Sequence, residues 1–339
     1  MLYNLHLLRV IAALSVVYFH TTSVAGLKLD WDVGSRGVDV FFVISGFIIA
    51  YIGTSKPELF LRRRLIRVVP LYWAATLGVF ALVLVAPRLF RSTTSSVPHF
   101  VASLLFIPHE SVTGEMHPTL VLGWSLNFEM FFYVAFAIAL GISRKWSPLI
   151  CVGWIVAFVV AIHTIKTDSA IMNFYARPIV LEFCFGIGVF YLFYWCSAHK
   201  DSFAKIGWLK WLLLVTLVGN LVALNVLEKH YPETPRYLVA GIPAFFIVAS
   251  ALLLERIYGF ATKNRVIYLL GESSYIIYLV HPYIIFAVLR VFVKDADALP
   301  PAVIVALIAG LLALVSVVAV AIHLLFEKPV MAFLRARLT

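Results

Sequence analysis

An all-α polytopic membrane protein, a bundle of about ten transmembrane helices making one domain over residues 1–339, is the fold class this sequence predicts. Three observations predict it. Of the 339 residues 63% are hydrophobic and 13% charged, whereas a soluble domain has about 45–50% and about 25%. The mean hydropathy is +0.98. Apolar runs recur along the whole chain, and lysines and arginines gather between them.

The runs place spans near residues 6–25, 36–53, 69–87, 119–142, 149–166, 177–196, 209–227, 237–254, 266–291 and 302–326. A spanning helix needs about 20 mostly apolar residues, so ten of them leave short loops and no soluble domain. Residues 98–108 are too short to cross and read as an interfacial or re-entrant segment. Residues 7–26 resemble a signal peptide, but Arg9 interrupts the run and no basic segment precedes it, so cleavage is not expected. Aromatic residues make up 15%, as expected if Trp and Tyr belt both interfaces.

With both termini cytoplasmic, the inner loops hold fifteen basic residues, among them Lys56, Arg62, Arg63, Arg64, Arg67, Arg144 and Lys145. The outer loops hold six: Lys28, Arg88, Arg91, Lys229, Arg236 and Lys294. Such a bias orients a membrane protein. The net charge of +10 therefore reads as topology and contact with anionic lipid headgroups, not as a nucleic-acid groove. Cys151, Cys184 and Cys196 lie in apolar segments without metal-ligand spacing or a disulfide framework, and no metal is expected. The sequence has neither an internal repeat of the transporter kind nor a low-complexity tract.

Ionisable groups inside a membrane are costly, so each is a functional candidate. Arg9 and His20 lie eleven residues apart in the first span. That spacing returns to within about 20° of one helix face, about 16 Å farther along. A basic anchor and a distant titratable group suit a long ligand laid along the helix; a snorkelling Arg and a hydrogen-bonded packing His are the alternative. Asp39 enters the second span at the depth of His20, where it would fix the imidazole tautomer or cap the helix beginning near Arg36 and Gly37. Arg64 and Arg67 in the basic inner loop are three apart, neighbours on a helix that can grip one phosphate, or ordinary topology charge. Glu129 sits mid-span and needs a partner or a wet cavity. His281 lies near the depth of His20, while Ser273 and Ser274 read as interhelical glue. Glu182, His163 and His323 are read as structural.

Together the Arg9-to-His20 spacing, the run Gly37-Val38-Asp39-Val40-Phe41-Phe42-Val43-Ile44-Ser45-Gly46-Phe47, the arginines before Pro70-Leu71-Tyr72-Trp73, and the segment from Tyr275 to Pro282 resemble the acyltransferase-3 family of integral membrane proteins. The resemblance covers essentially the whole chain, with Phe326-Glu327-Lys328-Pro329 similar to the family's end. Residues 103–109 and 123–133 resemble the rhizobial type that acetylates exopolysaccharide, although Met130 stands where many relatives carry a second acidic residue. Some relatives add an esterase-like domain; this chain, ending at Thr339, is expected to complete transfer within the membrane.

The resemblance implies an O-acyltransferase of the bacterial inner membrane. Acetyl-CoA would be the donor substrate, with no permanently bound cofactor. The acceptor would be an exopolysaccharide or a lipid-linked oligosaccharide. It implies His20 as the catalytic residue, assisted by Asp39 or Glu129, with Arg9, Arg64 and Arg67 binding acyl-CoA. Trp124, Tyr275 and His281 are expected to bind substrate. The other reading is a transporter or flippase of glycan intermediates, which accounts equally for ten spans and intramembrane charge.

Overall fold

A computed structural model describes residues 2–26, 34–86, 96–111, 114–292 and 299–338. Lys28, Arg88, Arg91, Lys294 and Thr339, used above to argue topology and chain end, lie outside the described residues. The helices are α1 (Tyr3–Val24), α2 (Gly37–Ser55), α3 (Phe60–Val85), α4 (Val97–Leu104), α5 (Trp124–Ile142), α6 (Ser147–Ile165), α7 (Ala170–Tyr175), α8 (Leu181–Ala198), α9 (Lys200–Ala204), α10 (Gly207–His230), α11 (Ile242–Tyr258), α12 (Arg265–Phe292), α13 (Pro301–Ile322) and α14 (Lys328–Leu338). Ten helical segments among the described residues are long and apolar enough to cross a membrane. The chain is thus an all-α, multi-pass membrane protein. The last span runs on through a π-helical turn, His323–Glu327, into α14.

The described residues fall into two compact units. The first comprises residues 1–47 and 185–325, the second residues 48–184 and 326–339.

In the first unit α1 packs against α12, α11 and α13. Its N-terminus is fixed by Glu255 of α11, whose carboxylate accepts from the Tyr3 and Asn4 amides at 2.8 and 2.7 Å. Those amides are orphan donors at the positive end of the helix dipole, where a carboxylate is favoured. The buried Asn4 side chain donates to the Ala251 and Phe260 carbonyls, both at 2.8 Å. Farther along, a methyl group on Gly271 would stand 2.7 Å from His6 Cβ, so only glycine lets α12 approach α1 so closely. These contacts set the depth and the azimuth of α1, and with them the place of His20.

In the second unit α3 runs antiparallel to α5. Phe60 packs tilted against Phe136 with ring centroids 5.2 Å apart. At the other end a methyl group on Gly123 would lie 2.8 Å from the Tyr72 ring. Between these points the register sets Arg64 and Arg67 alongside Tyr133 and Glu129. The arginines expected in a loop therefore ride on the first two turns of a helix that begins at Phe60. The segment 98–108 contains α4, capped by Ser96, whose hydroxyl accepts from the His99 amide. Trp73 and Tyr72 of α3 donate to the Leu104 and Ser103 carbonyls at its other end, at 2.8 and 3.1 Å.

Candidate active site

The first unit contains Arg9, His20, Asp39, Tyr275 and His281; the second contains Arg64, Arg67, Trp124 and Glu129.

The C-terminal half of α1 is polar yet largely self-satisfied. Ser15, Thr21 and Thr22 donate to carbonyls one turn back, Ile11, Val17 and Tyr18. His20 belongs to the same series: its Nδ1 lies 3.0 Å from the Val16 carbonyl. Across from it, fully buried His281 of α12 places its own Nδ1 3.1 Å from the Ile277 carbonyl. The two imidazoles meet with ring centroids 4.9 Å apart, His281 Nε2 lying 3.3 Å from His20 Nδ1.

The carbonyl partners assign the protons. A carbonyl only accepts, so each Nδ1 carries the hydrogen. His281 Nε2 is then a lone pair that accepts a share of the His20 Nδ1–H. His20 Nε2 is left with its own lone pair and makes no hydrogen bond among the described residues. A neutral imidazole so held is a base at one defined nitrogen.

Asp39 has a different partner from the one expected. Both its oxygens are taken by Arg236, which donates through Nε at 2.8 Å and Nη2 at 2.7 Å. Asp39 is fully buried in the first turn of α2, and a buried carboxylate demands a full countercharge. A guanidinium supplies that with two parallel bonds; an imidazole offers one. Asp39 is thus part of an ion pair at the start of α2, and the side chain that meets His20 is that of His281. Tyr275 is half-buried on α12.

In the second unit Glu129 accepts the Tyr133 hydroxyl, one helical turn away. Arg64 lies within electrostatic reach of Tyr133, Arg67 and Glu129. Glu129 thus sits beside the half-buried Arg64, whose buried Nε remains a donor without a hydrogen-bond partner among the described residues. Trp124, the first residue of α5, meets Phe128 edge-on at 6.1 Å. Arg236, Tyr133 and the partner of His323 were not found from sequence. His323 Nε2 stands 3.9 Å from a Glu272 oxygen.

The fold is that of a multi-pass helical membrane protein, with a pair of imidazoles in its first unit and a group of half-buried arginines in its second. The chain belongs to the acyltransferase-3 family: the model of its acyltransferase domain (Acyl_transf_3) matches residues 2–323. The exopolysaccharide production protein ExoZ of Rhizobium meliloti (strain 1021) is 34% identical over 325 residues, covering 94% of this chain and 96% of that one. Acyltransferase MdmB of Streptomyces mycarofaciens is 27% identical over 269 residues, 73% of this chain and 67% of its own. Nodulation protein 10 of Rhizobium leguminosarum bv. viciae is 26% identical over 236 residues, 60% and 63% of the two chains. No solved structure matches the chain. The protein is accordingly a membrane acyltransferase, which decides against the transporter reading.

Proposed function

We propose that the protein carries an acyl group, acetyl in the simplest case, from acyl-CoA to a hydroxyl of a cell-surface polysaccharide or its lipid-linked precursor. The acceptor class follows from ExoZ, whose name ties that relative to exopolysaccharide production. His20 Nε2 takes the proton of the sugar hydroxyl as its oxygen attacks the thioester carbonyl. The tetrahedral adduct expels the CoA thiolate, which recovers that proton from His20. General-base action of this kind contributes about 10²–10⁴ in rate, and positioning supplies much of the rest.

The observation that carries this reading is the pair of nitrogens on His20: Nδ1 committed to Val16 and His281, Nε2 free to act. The donor's phosphates fit the unpartnered Arg64 Nε and neighbouring Arg67. Arg9, on the same helix face as His20 and about 16 Å away, adds a basic contact for a long ligand. The positive-inside count puts both termini in the cytoplasm of an inner-membrane protein.

Acetyl-CoA titrated into purified protein tests the donor assignment. Calorimetric binding with slow release of free CoA is expected, and Arg64→Ala with Arg67→Ala should weaken it at least tenfold. Dephospho-CoA serves as the comparison. No binding at millimolar acetyl-CoA would remove the donor assignment, and an unchanged Kd in the double variant would limit the arginines to setting topology.

A further inference from the structure

We infer that His281 is a positioning residue for His20: it holds the catalytic imidazole in its Nδ1–H tautomer and shares the positive charge that forms there. This rests on the reading of His20 as the base and adds a second residue to it.

The geometry leaves His281 one role in that contact. Its Nδ1–H is spent on the Ile277 carbonyl, so its Nε2 can only accept. Among the described residues, the hydrogen-bond donor that faces it is His20 Nδ1, at 3.3 Å. His281 is fully buried, so water does not compete for that lone pair. Pro282 follows directly and has no amide hydrogen, which leaves the Tyr278 carbonyl without its helical donor and eases the backbone at this turn.

Other ionisable groups on the surrounding helices are engaged elsewhere. Glu255 caps α1, Asp39 grips Arg236, and Glu272 faces His323. The Tyr278 ring is 6.1 Å from that of His281. No carboxylate among the described residues hydrogen-bonds either imidazole. Where a hydrolase triad places a carboxylate behind its histidine, this site has a neutral imidazole. When His20 Nε2 takes the acceptor's proton, the imidazolium's Nδ1–H bond to His281 becomes charge-assisted and strengthens. The contact thus favours the transition state over the resting state, the condition for raising kcat rather than lowering KM.

Two amide substitutions separate this role from packing. In His281→Gln the amide falls near the position of Nε2 and can present its oxygen to His20. In His281→Asn it falls near Nδ1 and can satisfy only the Ile277 carbonyl. The measurement is transfer from acetyl-CoA by purified, monodisperse protein, with kcat and KM for the donor determined separately. Gln should keep kcat within about tenfold of the wild type, while Asn should lower it about 10²-fold or more, the KM for acetyl-CoA changing little in both.

Equal kcat in the two variants, or a higher kcat with Asn, would overturn the inference. So would a loss confined to KM, which would make His281 a substrate contact. His20→Ala is measured alongside. If it stays active, the reading of His20 itself has failed; if it is inactive while His281→Asn is fully active, only the inference has failed.

Discussion

At the scale of residues, the partner of each buried polar atom decides what that residue can do. His20→Ala should abolish transfer, and His20→Gln should nearly do so, because a hydrogen-bonding amide cannot change protonation. Both should bind acetyl-CoA as the wild type does, in calorimetry. The expected loss in kcat is about 10²–10⁴; substantial activity in the Gln variant would make His20 a packing residue. The Asp39–Arg236 pair belongs to stability. Asp39→Asn should cost about 3 kcal/mol in thermal unfolding in detergent, the low end for a broken buried pair because Arg236 is partly exposed and can rehydrate. Adding Arg236→Gln should cost less than the sum of the single changes. Strict additivity would mean that the pair contributes nothing as a pair. Helix rise put His20 and His281 at one level in the sequence, and their rings meet in the structure. Level did not give azimuth. Asp39 and His20 share a level, but the guanidinium that claims Asp39 comes from a residue 197 positions away.

At the scale of elements, the ten apolar runs match ten helical segments, among the described residues, that are long and apolar enough to span, with boundaries shifted by a few residues except where charge masked a helix. Helix α3 begins at Phe60, not near residue 69, because hydropathy cannot distinguish arginines in a loop from arginines on the first turns of a helix, where Arg64 lies within electrostatic reach of Glu129. The short α4 shows a different limit. Its anchorage is polar: His99 Nε2 donates to the His117 carbonyl at 2.8 Å, and Ser103 joins Thr119. Burial pushes the His99 imidazole below the ordinary histidine value, and nearby His109 and His117 add to the shift. The unfolded segment then binds the proton more readily. The packing of α4 is complete above about pH 6.5 and weakens as pH falls below it. Hydrogen exchange, corrected for its intrinsic pH dependence, should show α4 loosening between about pH 7.5 and about pH 5.5. His99→Gln, which keeps a donor for His117 but does not titrate, should remove most of that change. An identical change in the variant would place the titration elsewhere.

At the scale of the whole molecule, family membership and the ten spans make this a membrane acyltransferase, and the site describes how it would act. The basic residues predict the topology: reporter fusions should place both termini in the cytoplasm, and an external C-terminus would put Arg64 and Arg67 on the side opposite to the one proposed for the donor. The central proposal is that, with His20 as the base, the protein passes an acetyl group to a surface polysaccharide. Its most direct test is mass analysis of that polysaccharide from cells lacking the gene, complemented with wild type or with His20→Gln expressed to the same level. O-acetyl groups, each adding one acetyl mass, should return with the wild type and stay absent with His20→Gln. Equal acetylation in the two strains, or none with either, would contradict the account.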